Sequence, residues 1–267
     1  MKVTDQDYYM DGYVKATLDT AKKTIKKDWD MLFCVDGSEG CGKSVEAQGL
    51  AYYCDPTFNL DRVVFTPQEF RKAVIGASKY QALIYDEAYT GLSSRATMSL
   101  INRTLISMLA EIRQRNLFVF VVMPCFFDLD KYVALWRSRG LWHCYTGDDF
   151  ERGFVAFYNT NRKKDLYIHG KKFYTYAKPK PNFLARFTNH YTVDEAAYRK
   201  KKRESLIARE KKTENAEKRR EIEEELFSRL QEMKTELPHS LKIEIMAMSP
   251  ATYYRRLRQY NDLKEFS

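Results

Sequence analysis

No run in the 267-residue chain approaches the ~18 uninterrupted apolar residues that a membrane-crossing helix needs, and the opening MKVTDQDYYMDGYVKATLD has no apolar core of the kind that directs secretion. Membrane insertion and export are not expected, and a cytoplasmic location is. The five cysteines (Cys34, Cys41, Cys54, Cys125 and Cys144) are odd in number and form no CxxC pair, and the four histidines do not cluster with them. They read as reduced thiols, and no closely spaced ligand set for a structural zinc is present. Acidic charge is in the minority. The 45 Lys and Arg against 36 Asp and Glu leave a formal net charge of +9, which suits a polyanionic partner. Apolar residues at 44% and aromatics at 14% exclude a disordered or fibrous chain, and the length allows one full α/β core with a smaller appendage.

Apolar residues at helical spacing (Tyr9, Tyr13, Val14, Leu18, Ala21, Ile25) predict a helix over 8–27. MLFCVDG at 31–37 reads as a short apolar strand ending at glycine. Further strands are expected at 62–65 (RVVF), 82–86 (ALIYD), 117–123 (LFVFVVM) and 141–145 (LWHCY), with helices between them. Continuous apolar strands alternating with helices predict a largely parallel sheet covered on both faces. Residues 154–158 and 166–168 read as an added β-hairpin. From Asp194 to Glu236 mixed charge dominates, as in a solvent-rich helix or linker; without a regular heptad pattern, a short coiled coil is the weaker reading.

The decisive motif is GSEGCGKS, formed by Gly37, Ser38, Glu39, Gly40, Cys41, Gly42, Lys43 and Ser44. It satisfies GxxxxGK[ST] between an apolar strand and a helical pattern. Glycines let backbone N–H groups turn inward around phosphate oxygens, the helix N-terminus adds to that anion site, Lys43 reaches the β and γ phosphates, and Ser44 offers its hydroxyl to Mg²⁺. The second half is ALIYDEA at 82–88, where a buried strand ends in two carboxylates. Asp86 suits a metal or its water shell, and Glu87 suits acceptance of a proton from an attacking water. A solvated turn is the plain reading of such a pair standing alone.

Together these residues resemble the Walker A and Walker B motifs of the P-loop NTPases, in the additional-strand, catalytic-glutamate division, over about residues 28–145. The resemblance implies a P-loop NTPase fold with LFVFVVM inserted between the two motif strands and RVVF outside them. It also implies Mg²⁺-dependent ATP hydrolysis by Lys43, Asp86 and Glu87. The polar sensor that such families carry at the end of the inserted strand is replaced here by Met123-Pro124-Cys125. No NKxD guanine-reading element is present, and the contiguous acid pair favours water activation over small-molecule phosphorylation. Three regions divide the chain on this reading: 1–192, a P-loop ATPase domain with N-terminal helix and C-terminal β-hairpin; 193–237, a charged helical linker; and 238–267, a small helical segment resembling a helix-turn-helix.

YDEAYTGLSSR (85–95), LAEIRQRN (109–116) and FFDLDKYVALWRSRG (126–140) resemble the zonular-occludens-toxin-like and FtsK/HerA-like ATPases of phages and mobile elements, and phage DNA-packaging motors. That resemblance implies a homo-oligomer, a hexameric or pentameric ring, coupling ATP hydrolysis to translocation or packaging of double-stranded DNA in the host cytoplasm. A phage portal or other mobile-element protein would be its partner. Multimeric ATPases often lend an arginine to a neighbour's γ phosphate, and Arg137 and Arg139 are the first candidates; ordinary surface charge or a packed cation is the alternative for each. Lys163, Lys164, Lys171 and Lys172, interleaved with aromatics, suit phosphate contacts or equally the solvated side of a hairpin. In the terminal segment Ser249 can cap and Pro250 can open a second helix, leaving Thr252, Arg255, Arg256 and Arg258 as candidates for DNA contact, unless the helix pair only packs on the core. A DNA-binding replication or transposition regulator that uses ATP as an assembly switch is the alternative function.

Overall fold

The computed structural model of the protein describes residues 9–86, 94–232 and 237–265, which divide into two units, Met1–Leu206 and Ile207–Ser267. Among the described residues of the first unit, β1 (Met31–Asp36), β2 (Val63–Val64), β3 (Ala82–Asp86), β4 (Phe118–Val122) and β5 (Gly140–Tyr145) pair in parallel. Antiparallel β6 (Phe154–Asn159) and β7 (Phe183–Arg186) extend the sheet, giving the order β2-β3-β4-β1-β5-β6-β7. The strand carrying LFVFVVM therefore lies between β1 and β3, and RVVF lies outside the pair, the order that the sequence resemblance implies.

Alternation along each strand explains why these runs are apolar throughout. Phe33, Val35, Phe120 and Trp142 face α1 (Gly12–Ile25) and α2 (Lys43–Cys54). Their neighbours Leu32, Cys34, Val119 and Leu141 face α3 (Pro67–Gly76), α4 (Ser94–Gln114) and α5 (Thr160–Gly170). Both faces are covered, so consecutive positions of β1, β3 and β4 are apolar up to the carboxylates Asp36 and Asp86 that end β1 and β3. Helix α1 is shorter than its sequence pattern: Asp11 caps it by accepting the Tyr13 N–H at 2.8 Å, and Tyr13 is 67% exposed while Val14, Leu18, Ala21 and Ile25 are buried.

The expected hairpin takes a different form. Residues 166–168 are helical, within α5, and the antiparallel partner of β6 is β7 at 183–186. The Asn159 side chain accepts the N–H groups of Asn161 and Arg162, so the chain passes from strand directly into helix. Leu166 and Tyr167 are buried while Ile168 is 60% exposed, a one-sided pattern that suits a helix.

Helix α6 (Glu195–Glu232) is continuous through the charged segment. Its start belongs to the first unit: Tyr198 is buried beside Phe65, and Lys201 Nζ donates to the carbonyls of Leu60 and Val63. In the second unit the later turns of α6 pack with α7 (His239–Ile245) and α8 (Pro250–Glu265). Tyr253 is fully buried, its ring 5.5 Å from that of Phe227, and Ser249 Oγ accepts the Thr252 N–H at 3.3 Å as a cap. Ile245 is exposed, while the half-exposed Tyr254 sets its ring 5.5 Å from that of Tyr253. Among the described residues no helix is long and apolar enough to cross a membrane.

Candidate functional site

The carboxyl ends of β1, β4 and β3 stand side by side, with Val35 and Asp86 both opposite Val122. The loop 37–42 leaves β1 here and runs into α2. Gly37, Gly40 and Gly42 adopt φ of 138°, 79° and 98°. Gly37 is obligatory on space as well: a Cβ there would lie 2.0 Å from the carbonyl oxygen of Cys144. Gly42 precedes the first turn of α2, whose free N–H groups open toward the loop. Lys43 Nζ folds back over the loop and donates to the carbonyls of Gly37 and Ser38, both at 2.7 Å.

Two buried networks brace the loop. Asp36, the last residue of β1, accepts the Phe126 N–H at 2.9 Å and the Tyr176 hydroxyl, and lies 2.9 Å from His143 Nδ1. It ties β1 to β5 and to the segments after β4 and α5. Cys41 and Cys144, both buried, share a hydrogen bond that pulls the Cys41 thiol pKa down, while burial pushes Cys144 up. These cysteines are free thiols.

Asp86 is buried at the end of β3. Tyr198 OH donates to its Oδ2 at 2.5 Å, and Lys202 Nζ lies 3.6 Å from the same oxygen. Lys202 Nζ also donates to Ser44 Oγ at 3.4 Å and to Tyr198 OH at 3.2 Å. Burial, then the Asp86 charge, pushes the Tyr198 hydroxyl pKa far up, so it remains a donor. One hydroxyl and one carboxylate make a hard oxygen pair suited to Mg²⁺, and an ammonium in contact with both shows that the pair holds positive charge. Among the described residues no cluster of three or more His, Cys, Asp or Glu marks a metal site made by the protein alone.

The cavity over these groups has a volume of about 650 Å³. Gly40, Gly42, Lys43, Ser44 and Asp86 line its floor, and Arg152, Arg199, Lys202 and Arg203 line it as well. Cations outnumber the acids, a field that favours a polyanion. Met123 and Pro124, which follow β4, also line the cavity. Sequence reasoning missed Arg152, Tyr198, Arg199, Lys202 and Arg203. The available signal was the spacing of Tyr198 and Lys202, four apart on one helix face, inside a run read only as solvated charge.

Other candidates are placed elsewhere. Arg137 and Arg139 precede β5, at the amino edge of the sheet. Arg137 Nη2 lies 2.7 Å from the fully buried Asp30 carboxylate and Arg139 Nη2 lies 3.7 Å from it. The six residues of β1 separate that edge from Gly37 by roughly 20 Å. Both arginines are thus packed cations within the chain, distant from its own loop. Lys163 is a correction: it is completely buried, donating to the carbonyls of Ala134 and Leu135, so it is not a surface contact for nucleic acid. Lys164 lies over the Trp136 ring, Lys171 bonds the Tyr167 hydroxyl, and Lys172 is exposed beside Phe173. In the second unit Arg255 and Arg258 are exposed, Arg256 pairs with Glu223 at 3.3 Å, and the Thr252 hydroxyl bonds Ser249. Glu87 lies outside the described residues. Comparison with protein-family models and with curated proteins finds no match for the chain.

Proposed function

We propose that the protein is an ATPase of the P-loop NTPase fold, resembling the additional-strand, catalytic-glutamate ATPases, that couples ATP hydrolysis to translocation or packaging of double-stranded DNA. The observation that carries this reading is the juxtaposition of a strand, a glycine loop and a helix bearing Lys43 and Ser44 with Asp86, from the strand next but one, all lining one polyanion-favouring cavity.

In this mechanism the loop N–H groups and the α2 N-terminus bind the phosphates, and Lys43 exchanges the Gly37 and Ser38 carbonyls for β- and γ-phosphate oxygens. Mg²⁺, when bound through Ser44 and Asp86, supplies positive charge to those same phosphates. Glu87, adjoining Asp86, accepts the proton of the attacking water. Exposed Arg255 and Arg258 of the second unit, with Lys164 and Lys172 of the first, suit contacts to a phosphate backbone. A homo-oligomeric ring in a phage or mobile-element system is the setting that the sequence resemblance suggests.

The test is steady-state ATP hydrolysis by the purified full chain, with and without double-stranded DNA, beside Glu87→Gln. The expected result is Mg²⁺-dependent turnover, raised by DNA and nearly abolished in the variant, with ATP binding retained. Hydrolysis unchanged by Glu87→Gln removes the base assignment, and turnover indifferent to DNA removes the motor.

A further inference from the structure

The cations of the cavity come mainly from one element of the same chain. Arg199, Lys202 and Arg203 all belong to the opening turns of α6 and line the cavity that Lys43, Ser44 and Asp86 floor. Tyr198 and Lys202, one turn apart, reach Asp86 together, but they are held differently. Tyr198 is buried and bound at 2.5 Å. Lys202 is 31% exposed, and its contacts to Ser44, Tyr198 and Asp86, at 3.4, 3.2 and 3.6 Å, are all long for a charge-assisted hydrogen bond. The tyrosine fixes the helix against β3, while the ammonium on its four-carbon stem stays free to change acceptor.

We propose that Lys202 is a catalytic residue of this site, the in-chain cation that moves from Asp86 to the terminal phosphate of the bound nucleotide. The proposal rests on the nucleotide reading above. Were Ser44 and Asp86 to serve a metal-bound polyphosphate, its positive charge would repel the ammonium from those acceptors, and phosphates held in the same cavity would offer it anionic oxygens instead. The attacking water forms the new P–O bond and gives its proton to Glu87. The bond from the γ phosphorus to the β–γ bridging oxygen breaks, its electron pair stays on the ADP oxygen, and inorganic phosphate is released. Lys202 remains protonated throughout and offsets the charge that develops on the transferring group. It performs in cis what a neighbour's arginine performs in trans, and it accounts for a site whose own Arg137 and Arg139 are engaged at the far edge of the sheet.

Lys202→Met keeps the apolar stem and removes the charge. Equilibrium binding of fluorescent ATP and ADP analogues, with Mg²⁺ and with EDTA, is measured beside kcat for the parent, Lys202→Met, Lys202→Arg and Lys43→Ala. Thermal unfolding confirms that each variant is folded. The expected result for Lys202→Met is a fall in kcat of about 10²-fold or more, a loss of roughly tenfold in the preference for ATP over ADP, and ADP affinity within about twofold of the parent. Lys202→Arg recovers part of both. A variant that turns over as fast as the parent or faster, with its ATP preference intact, overturns the proposal and leaves Lys202 as a plug on the Ser44–Asp86 pair. A different outcome marks failure of the underlying reading: a parent that binds neither nucleotide, or binding that survives Lys43→Ala unchanged, removes the phosphate loop and this proposal with it. If Lys202→Met fails to fold, Lys202→Gln supplies the same comparison.

Discussion

Replacing Arg137 with alanine separates two roles that predict opposite results. Asp30 is fully buried, and its carboxylate is served by Arg137 at 2.7 Å and by Arg139 at 3.7 Å. Arg137 also donates to the Leu109 carbonyl at 3.3 Å and is itself only 14% exposed. Removing one partner of a buried ion pair costs about 3–5 kcal/mol, because the remaining charge stays in a medium that solvates it poorly. Arg139 remains within reach of Asp30, which places Arg137→Ala at the lower end, about 3 kcal/mol. At about 2–4 °C per kcal/mol for a unit of this size, the melting temperature falls by roughly 6–12 °C. Turnover per folded molecule, measured well below the transition, stays close to that of the parent. A neighbour-supplied arginine gives the reverse pattern: an unchanged melting temperature, a collapse of kcat, and recovered activity when Arg137→Ala chains are mixed with Glu87→Gln chains. That pattern refutes the structural assignment of Arg137 and restores it as a residue acting between subunits.

Two further perturbations test buried charge and surface charge. Burial pushes Glu46 of α2 up to about 8 from 4.5, so between those values the folded protein keeps a proton that the unfolded chain releases, and stability falls as pH rises through that window. Glu46→Gln removes this slope; its melting temperature relative to the parent is expected to rise steadily from about pH 5 to about pH 8 and level off above, and a constant difference counts against the buried carboxyl. Arg255→Ala and Arg258→Ala are each expected to reduce the slope of log affinity for double-stranded DNA against log salt by about one, measured by fluorescence anisotropy. Lys163→Met is expected to leave that slope unchanged and lower thermal stability, since its ammonium serves two buried carbonyls.

The strands and the loop were legible because local sterics decide them. Phe33 and Cys34 are buried on opposite faces, so β1 is apolar at consecutive positions, and no side chain fits at Gly37 beside the Cys144 carbonyl. The misreading of 166–168 has an equally local cause. Three apolar residues fit one strand face or one helix turn equally well, and the capping signal at Asn159 lies before a segment that shows no glycine break. The fates of the basic residues were not legible. Lys163 ends buried on the carbonyl of Ala134, 29 residues away; Arg137 ends on Asp30, 107 residues away; Lys202 ends on Ser44, 158 residues away. In the sequence all three stand in similar basic runs and count equally toward the net charge. What separates a buried cap, a packed ion pair and a cation facing the cavity is which acceptor the folded sheet brings within about 4 Å of the side chain, and that acceptor is set by the order of the strands. The opening of α6 illustrates the point most directly, because the helical spacing of Tyr198 and Lys202 placed them on one face, and only the position of β3 in the sheet gave that face Asp86 to meet.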